Sequence, residues 1–175
     1  MPVVTYPVAA NADDYTQNVV TGSPETGGTT LNAQRNSIVF PPGVNKYAVT
    51  EIDTSAIPDD NIIRKATYRF YSDSYSATRG ISKIFSASLW TGSGWTTIAT
   101  DEAFKVGWIK LNLSASDLQY ISKTGNTKLR VTVTDPGAGN FRSMFVRARE
   151  HTFGLYKAEL EIAHFPSYIY GTVIG

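Results

Sequence analysis

The residues with chemistry to offer are two histidines, three pairs of neighbouring acids and a set of aromatic rings. His151 falls in an expected loop, and His164 ends the last expected strand on its inward face. A hydrolase of the serine type needs Ser, His and an acid brought together in space. The Gly-x-Ser-x-Gly elbow that marks one such family does not occur in the sequence, and neither histidine lies in a motif. Both are expected to be structural. Asp13/Asp14, Asp59/Asp60 and Asp101/Glu102 are paired carboxylates. Glycosidic cleavage needs two carboxyl groups facing one cleft, whereas sequence neighbours at turns and strand ends are expected to be solvated. The reading is therefore of a protein that is not an enzyme.

Aromatic rings stack on the flat faces of sugars when they are exposed and carry polar groups at their edges. Tyr71, Tyr75, Trp90, Trp95 and Trp108 are the rings in question. Trp90 and Trp95 flank the turn Gly92-Ser93-Gly94, a place where a sandwich presents side chains to solvent. Tyr75, Trp90 and Trp95 are the candidate stacking residues. Trp108, on an alternating stretch, is expected to pack across strands. Arg142, Arg147 and Arg149 form a local basic group, with Arg147 and Arg149 on one side of a strand at i and i+2. It suits a phosphate or partner contact, or ion pairs with Glu150, Glu159 or Glu161, and the second is the expectation. A net charge of +1 gives no general pull toward nucleic acid or an anionic membrane.

The elements that would position these residues are strands. The 175 residues suit one domain, and 14 Gly, 8 Pro, 10 Tyr and 8 Phe favour strands and turns over helices. With no cysteine, disulfides, thiol chemistry and Cys-based zinc sites are excluded. Lys46 to Asp53 alternates; Ser55 to Asn61, with Pro58, Asp59 and Asp60, is a turn; Ile62 to Tyr71 alternates again, with Ala66, Tyr68 and Phe70 on one face. Ser72 to Gly80 reads as a polar turn. Ser82 to Trp90, Trp95 to Ala99, Trp108 to Leu113, Lys128 to Thr134, Phe141 to Arg149 and Leu155 to Phe165 complete the clear strands, preceded by β-prone stretches at Thr16–Thr21 and Ala33–Phe40. Asp117 caps the one short helix, near 117–122.

Roughly nine or ten short strands without a βαβ pattern predict an all-β, two-sheet antiparallel β-sandwich of jelly-roll type. The sandwich is expected over residues 10–165. Residues 1–9 form an N-terminal arm or edge strand, and 166–175 an apolar C-terminal tail. Solvated tails are usually polar, so Val3, Val4, Tyr6, Tyr168 and Tyr170 are candidate docking residues, unless the ends complete the same sandwich. The N-terminus lacks the basic and apolar regions of a secretory signal, and no apolar run reaches membrane-spanning length. The chain reads as a complete frame made in a cytoplasm.

In this order of strands the chain resembles the DNRLRE-type jelly-roll domains, which are similar to carbohydrate-binding modules. The resemblance is carried by Ile52-Asp53-Thr54-Ser55-Ala56-Ile57-Pro58 with Ile62, Ile63 and Ala66 after it, by Phe145 to Glu150 with Leu160 and Ile162, and by Ala12-Asp13-Asp14-Tyr15. Lys46 to Ile52 departs from the family's Arg-Leu-Leu-Arg-Phe strand, and Ala148 stands where the family has Ser. The resemblance implies the fold and, through related modules, a structural calcium between the first and last strands, for which Asp13, Asp14 and Glu161 are the hard-oxygen candidates.

Two functional expectations follow. The first is a non-catalytic structural component of a virion surface, a capsid decoration or tail accessory protein of a bacteriophage, made in the host cytoplasm and docked onto other subunits, as a homo-oligomer. The alternative is a carbohydrate-binding or adhesive module, extracellular or on a cell surface, using Tyr75, Trp90 and Trp95 on a glycan. The two are compatible.

Overall fold

The structure, a computed structural model, describes residues 3–7, 15–18, 24–25, 30–36, 46–134, 136–137, 139–147 and 157–167. Twelve strands lie among these residues: β1 (Val3–Pro7), β2 (Tyr15–Asn18), β3 (Pro24–Glu25), β4 (Thr30–Asn36), β5 (Lys46–Asp53), β6 (Asn61–Ala77), β7 (Ile84–Trp90), β8 (Trp95–Ala103), β9 (Gly107–Asn112), β10 (Asn126–Thr132), β11 (Phe141–Arg147) and β12 (Glu159–Pro166). Every pairing is antiparallel. The architecture is the expected β-sandwich of two packed layers.

The hydrogen-bond path runs β1-β12-β6-β11-β4-β5-β10-β7-β8, with β9 on β6 and β2–β3 on β5. It folds back at β4–β5, which meet in one residue pair, Gln34 with Lys46. Contacts across the fold show that the halves face each other. Thr50 Oγ1 of β5 is 2.9 Å from Tyr68 Oη of β6. Phe70 of β6 meets Phe85 of β7 edge-on at 5.8 Å. The core between them takes alternate residues of each strand: Ala66, Tyr68 and Phe70; Phe85, Ala87 and Leu89; Leu129, Val131 and Val133; Leu160 and Ile162. These are the period-2 faces that the sequence predicts. Burying the Val, Leu, Ile and Phe side chains among them contributes about 1.5–3 kcal/mol each.

Two differences from the sequence have physical causes. Ser72 to Ala77 is strand rather than turn. A register shift opposite Phe145/Val146 inserts an extra residue there, so the buried face passes from Phe70 and Ser72 to Tyr75. The polar residues of this half are satisfied by specific partners: the Ser72 hydroxyl donates to Lys105 O, and Asp73 receives Arg147 at 2.6 Å. The expected helix near 117–122 is a single 3₁₀ turn, Leu118–Tyr120. Asp117 does hold the turn before it, its Oδ2 accepting from Ser114 N at 2.9 Å.

At the N-terminus the edge-strand reading, not the free arm, is the one the structure takes. β1 pairs with β12 from Val3↔Ala163 to Pro7↔Glu159, so it is an edge strand of the same sandwich. Tyr6, expected on a partner, is 6% exposed within this chain's own core. Val3 and Val4 do face outward, at 61% and 39% exposure. Tyr168 and Tyr170 lie outside the described residues.

The motif stretch after β5 is pinned from several sides. Ser55 donates to Asp53 Oδ1 from its backbone at 3.0 Å and from its hydroxyl at 2.6 Å. These bonds hold the exposed Asp53 carboxyl below the usual carboxylate range. Thr54 Oγ1 sits 2.8 Å from Thr127 Oγ1, and Ile57 is buried. Lys123 Nζ donates to Asp59 O at 2.8 Å and Asn61 O at 2.6 Å, closing the loop against the 3₁₀ segment.

Candidate functional site

His164, Arg142 and Arg147 are engaged in the scaffold. His164 Nδ1 accepts from Asn61 Nδ2 at 2.6 Å, which leaves Nε2 to donate to the Tyr6 hydroxyl at 3.1 Å. Arg142, 7% exposed, donates from Nε to Ser82 O and from a terminal nitrogen to Thr134 O, tying two loops together. Arg147 pairs with Asp73, while Glu159 and Glu161 are taken by Arg69. His151, Arg149 and Glu150 lie outside the described residues.

Glu161, the one calcium candidate among the described residues, is engaged by a guanidinium. Arg69 donates to its Oε1 at 2.6 Å and to Glu159 Oε2 at 3.2 Å. Glu161 also shares a cavity of about 80 Å³ with Lys65, Thr67 and Val3. Among the described residues no group of three or more acids and histidines could hold a metal. Asp13 and Asp14 lie outside them.

Tyr75 is withdrawn from the stacking set. It is 8% exposed, its hydroxyl donates to Ile84 O at 2.7 Å and its ring lies 5.0 Å from that of Phe104. Burial holds its phenol above the ordinary tyrosine range, against the opposing effects of Arg142 and of the bond to Ile84. The cause is the register shift in β6, which turns Tyr75 inward.

Trp90 and Trp95 are partly exposed and directly opposite each other in β7 and β8. Their centroids are 5.4 Å apart at an interplanar angle of 64°. The short turn between them is closed by Thr91 N donating to Gly94 O at 2.8 Å, and Gly92 supplies its positive φ of 93°. Arg130, outward on β10, lies over the Trp95 ring at 4.5 Å and over the Tyr47 ring at 4.6 Å. The outer face of β5-β10-β7-β8 therefore carries a continuous ladder, Tyr47, Arg130, Trp95 and Trp90. One face of Trp95 is taken by the guanidinium, and Trp90 stands beside it at the end of the ladder. It lines a cleft of about 280 Å³ with Gln119, Tyr120, Asn126 and Lys128.

Trp108 packs across strands as expected, edge-on to Tyr71 at 5.7 Å and under Arg69 at 4.9 Å. The alternation of Lys128 to Thr134 places Arg130 outward. It does not tell which strands flank β10, so Tyr47, Arg130, Gln119, Tyr120 and Asn126 carry no sequence signal as a group.

No protein-family model matches the chain, and no curated protein matches it. What defines the molecule is its jelly-roll-like β-sandwich with an aromatic ladder on one outer face.

Proposed function

We propose that the protein is a non-catalytic carbohydrate-binding β-sandwich. The observation that supports this reading is the Trp90–Trp95 pair, partly exposed and backed by Arg130, with Trp90 opening onto a cleft edged by amides. Aromatic rings held rigid before the ligand arrives lose little freedom on binding. The motif run Ile52 to Pro58, with its resemblance to DNRLRE-type domains, agrees with it. The test is a glycan array, run with calcium and with a chelator, on the wild type and on Trp90→Ala/Trp95→Ala. Binding lost in the variant supports the reading; an array without a hit sinks it.

A second reading is favoured by Val3 and Val4. An exposed apolar pair on an edge strand suits strand addition by a neighbouring subunit, as in a virion surface protein that assembles on a capsid or tail. Because Tyr6 belongs to the core, the fair test is Val3→Lys/Val4→Lys rather than deletion. Loss of self-association or particle binding, with an unchanged melting temperature, supports assembly through this edge. Unchanged association counts against it.

A further inference from the structure

We propose that the cleft between the β7–β8 turn, the 3₁₀ turn and the start of β10 seats one pyranose ring of a neutral glycan. This rests on the carbohydrate-binding reading and names the subsite and the kind of sugar. The cleft, about 280 Å³, lies just below the usual range of ligand pockets, about 300–1,000 Å³, which suits a single ring rather than a chain lying across the face.

Its walls combine what a sugar ring needs. Trp90 and Tyr120 supply aromatic surface for the C–H faces. Gln119 and Asn126 supply amides for the hydroxyls. Gln119 Nε2 donates to Ser116 O at 2.8 Å, and Asn126 Nδ2 to Glu51 Oε2 at 3.2 Å. Each bond uses one of two N–H groups and leaves the amide oxygen, so each amide keeps both donor and acceptor capacity. These side chains are also fixed by the same bonds, one to the turn before the 3₁₀ segment and one to β5.

Charge selects the sugar. Among the described residues Lys128 is the only charged one lining the cleft, and its Nζ is 2.7 Å from Glu51 Oε1. The pair is neutral together, so the site has no surplus cation for a uronate or a sulfated sugar. At the rim, a Cβ added to Gly92 would meet no heavy atom within 4 Å. The turn tip thus leaves space through which the rest of a glycan can leave.

The three tryptophans give three indole N–H signals, which makes the site readable by NMR. The full chain is titrated with cellohexaose, xylohexaose and mannohexaose as neutral probes, and with hexagalacturonate as the anionic one. The expected result is a shift of the Trp90 signal by a neutral probe, with Trp108, on the other layer, unmoved. Gln119→Ala, at an exposed position clear of the core, is expected to weaken that binding roughly tenfold, as is Asn126→Ala. Tighter binding of hexagalacturonate than of every neutral probe overturns the neutral assignment. Binding that survives both amide variants but is lost in Trp95→Ala overturns the cleft and leaves the glycan on the outer face. No binding of any probe overturns the cleft and the carbohydrate reading together.

Discussion

The Tyr6 hydroxyl lies 3.1 Å from His164 Nε2, and the two rings are tilted against each other at 6.4 Å. This contact fastens the first strand to the last. Burial holds the Tyr6 phenol above its ordinary range, so it stays neutral as it accepts the imidazole proton. Tyr6→Ala is therefore expected to destabilise the domain by about 3–5 kcal/mol, the range for removing a buried aromatic side chain. Tyr6→Phe removes only the hydroxyl and is expected to cost about 1 kcal/mol. Urea unfolding monitored by tryptophan fluorescence measures both. An alanine variant as stable as the wild type would free the arm from the core and return it to the role of a docking segment.

Asp53 gives a pH signature. Its folded carboxyl is held below the ordinary value by the side-chain and backbone bonds from Ser55. A depressed carboxyl contributes stability above its unfolded value, about 3.9. That contribution is lost as pH falls through the lower folded value. Asp53→Asn keeps an acceptor oxygen but not the charge. The gap in melting temperature between wild type and variant is thus expected to be constant from neutral pH to about pH 5, and to close below pH 4. A gap that holds at pH 3 would show that the charge does not matter to the turn.

The scaffold was legible wherever burial follows a period of two. Ala66, Tyr68 and Phe70, or Leu129, Val131 and Val133, face the core as alternation demands. Alternation fails at a bulge, since one inserted residue exchanges the faces. Tyr75 lies just past such an insertion, and its neighbours Ser72 and Asp73 look like turn residues until Lys105 and Arg147 are brought to them. The candidate site was half legible. Trp90 and Trp95 could be placed from their turn alone. Arg130 and Tyr47 could not, because β5 flanks β10 through contacts about eighty positions apart in sequence, Val49 with Arg130 among them.

Arg69 decides what Glu161 can do. Its guanidinium bridges Glu159 and Glu161 while lying 4.9 Å from the Trp108 centroid. The groups are partly exposed, so Glu161→Gln is expected to cost under about 1 kcal/mol. If Glu161 is held by Arg69 and not by calcium, wild type and Glu161→Gln will respond identically to EDTA in a thermal melt. A chelator effect present in the wild type and missing in the variant would restore Glu161 as a calcium ligand.

Arg130 stands between two rings, 4.6 Å from the Tyr47 centroid and 4.5 Å from that of Trp95. A planar guanidinium can lie flat on both at once, whereas an ammonium offers a point charge. A double-mutant cycle on Arg130→Ala and Trp95→Ala is expected to give a coupling of about 0.5–2 kcal/mol, the range for a cation over an aromatic face. The same cycle with Arg130→Lys in place of Arg130→Ala is expected to show that lysine recovers less than half of it. The functional consequence follows from the order of the ladder. Trp95 backs Trp90, so loosening Trp95 costs the ligand the freedom Trp90 must then lose on binding. Arg130→Ala is expected to weaken glycan binding a few-fold, within about 1 kcal/mol, although it touches no sugar. Unchanged affinity together with a measured coupling would confine Arg130 to stability and leave Trp90 positioned by its own strand.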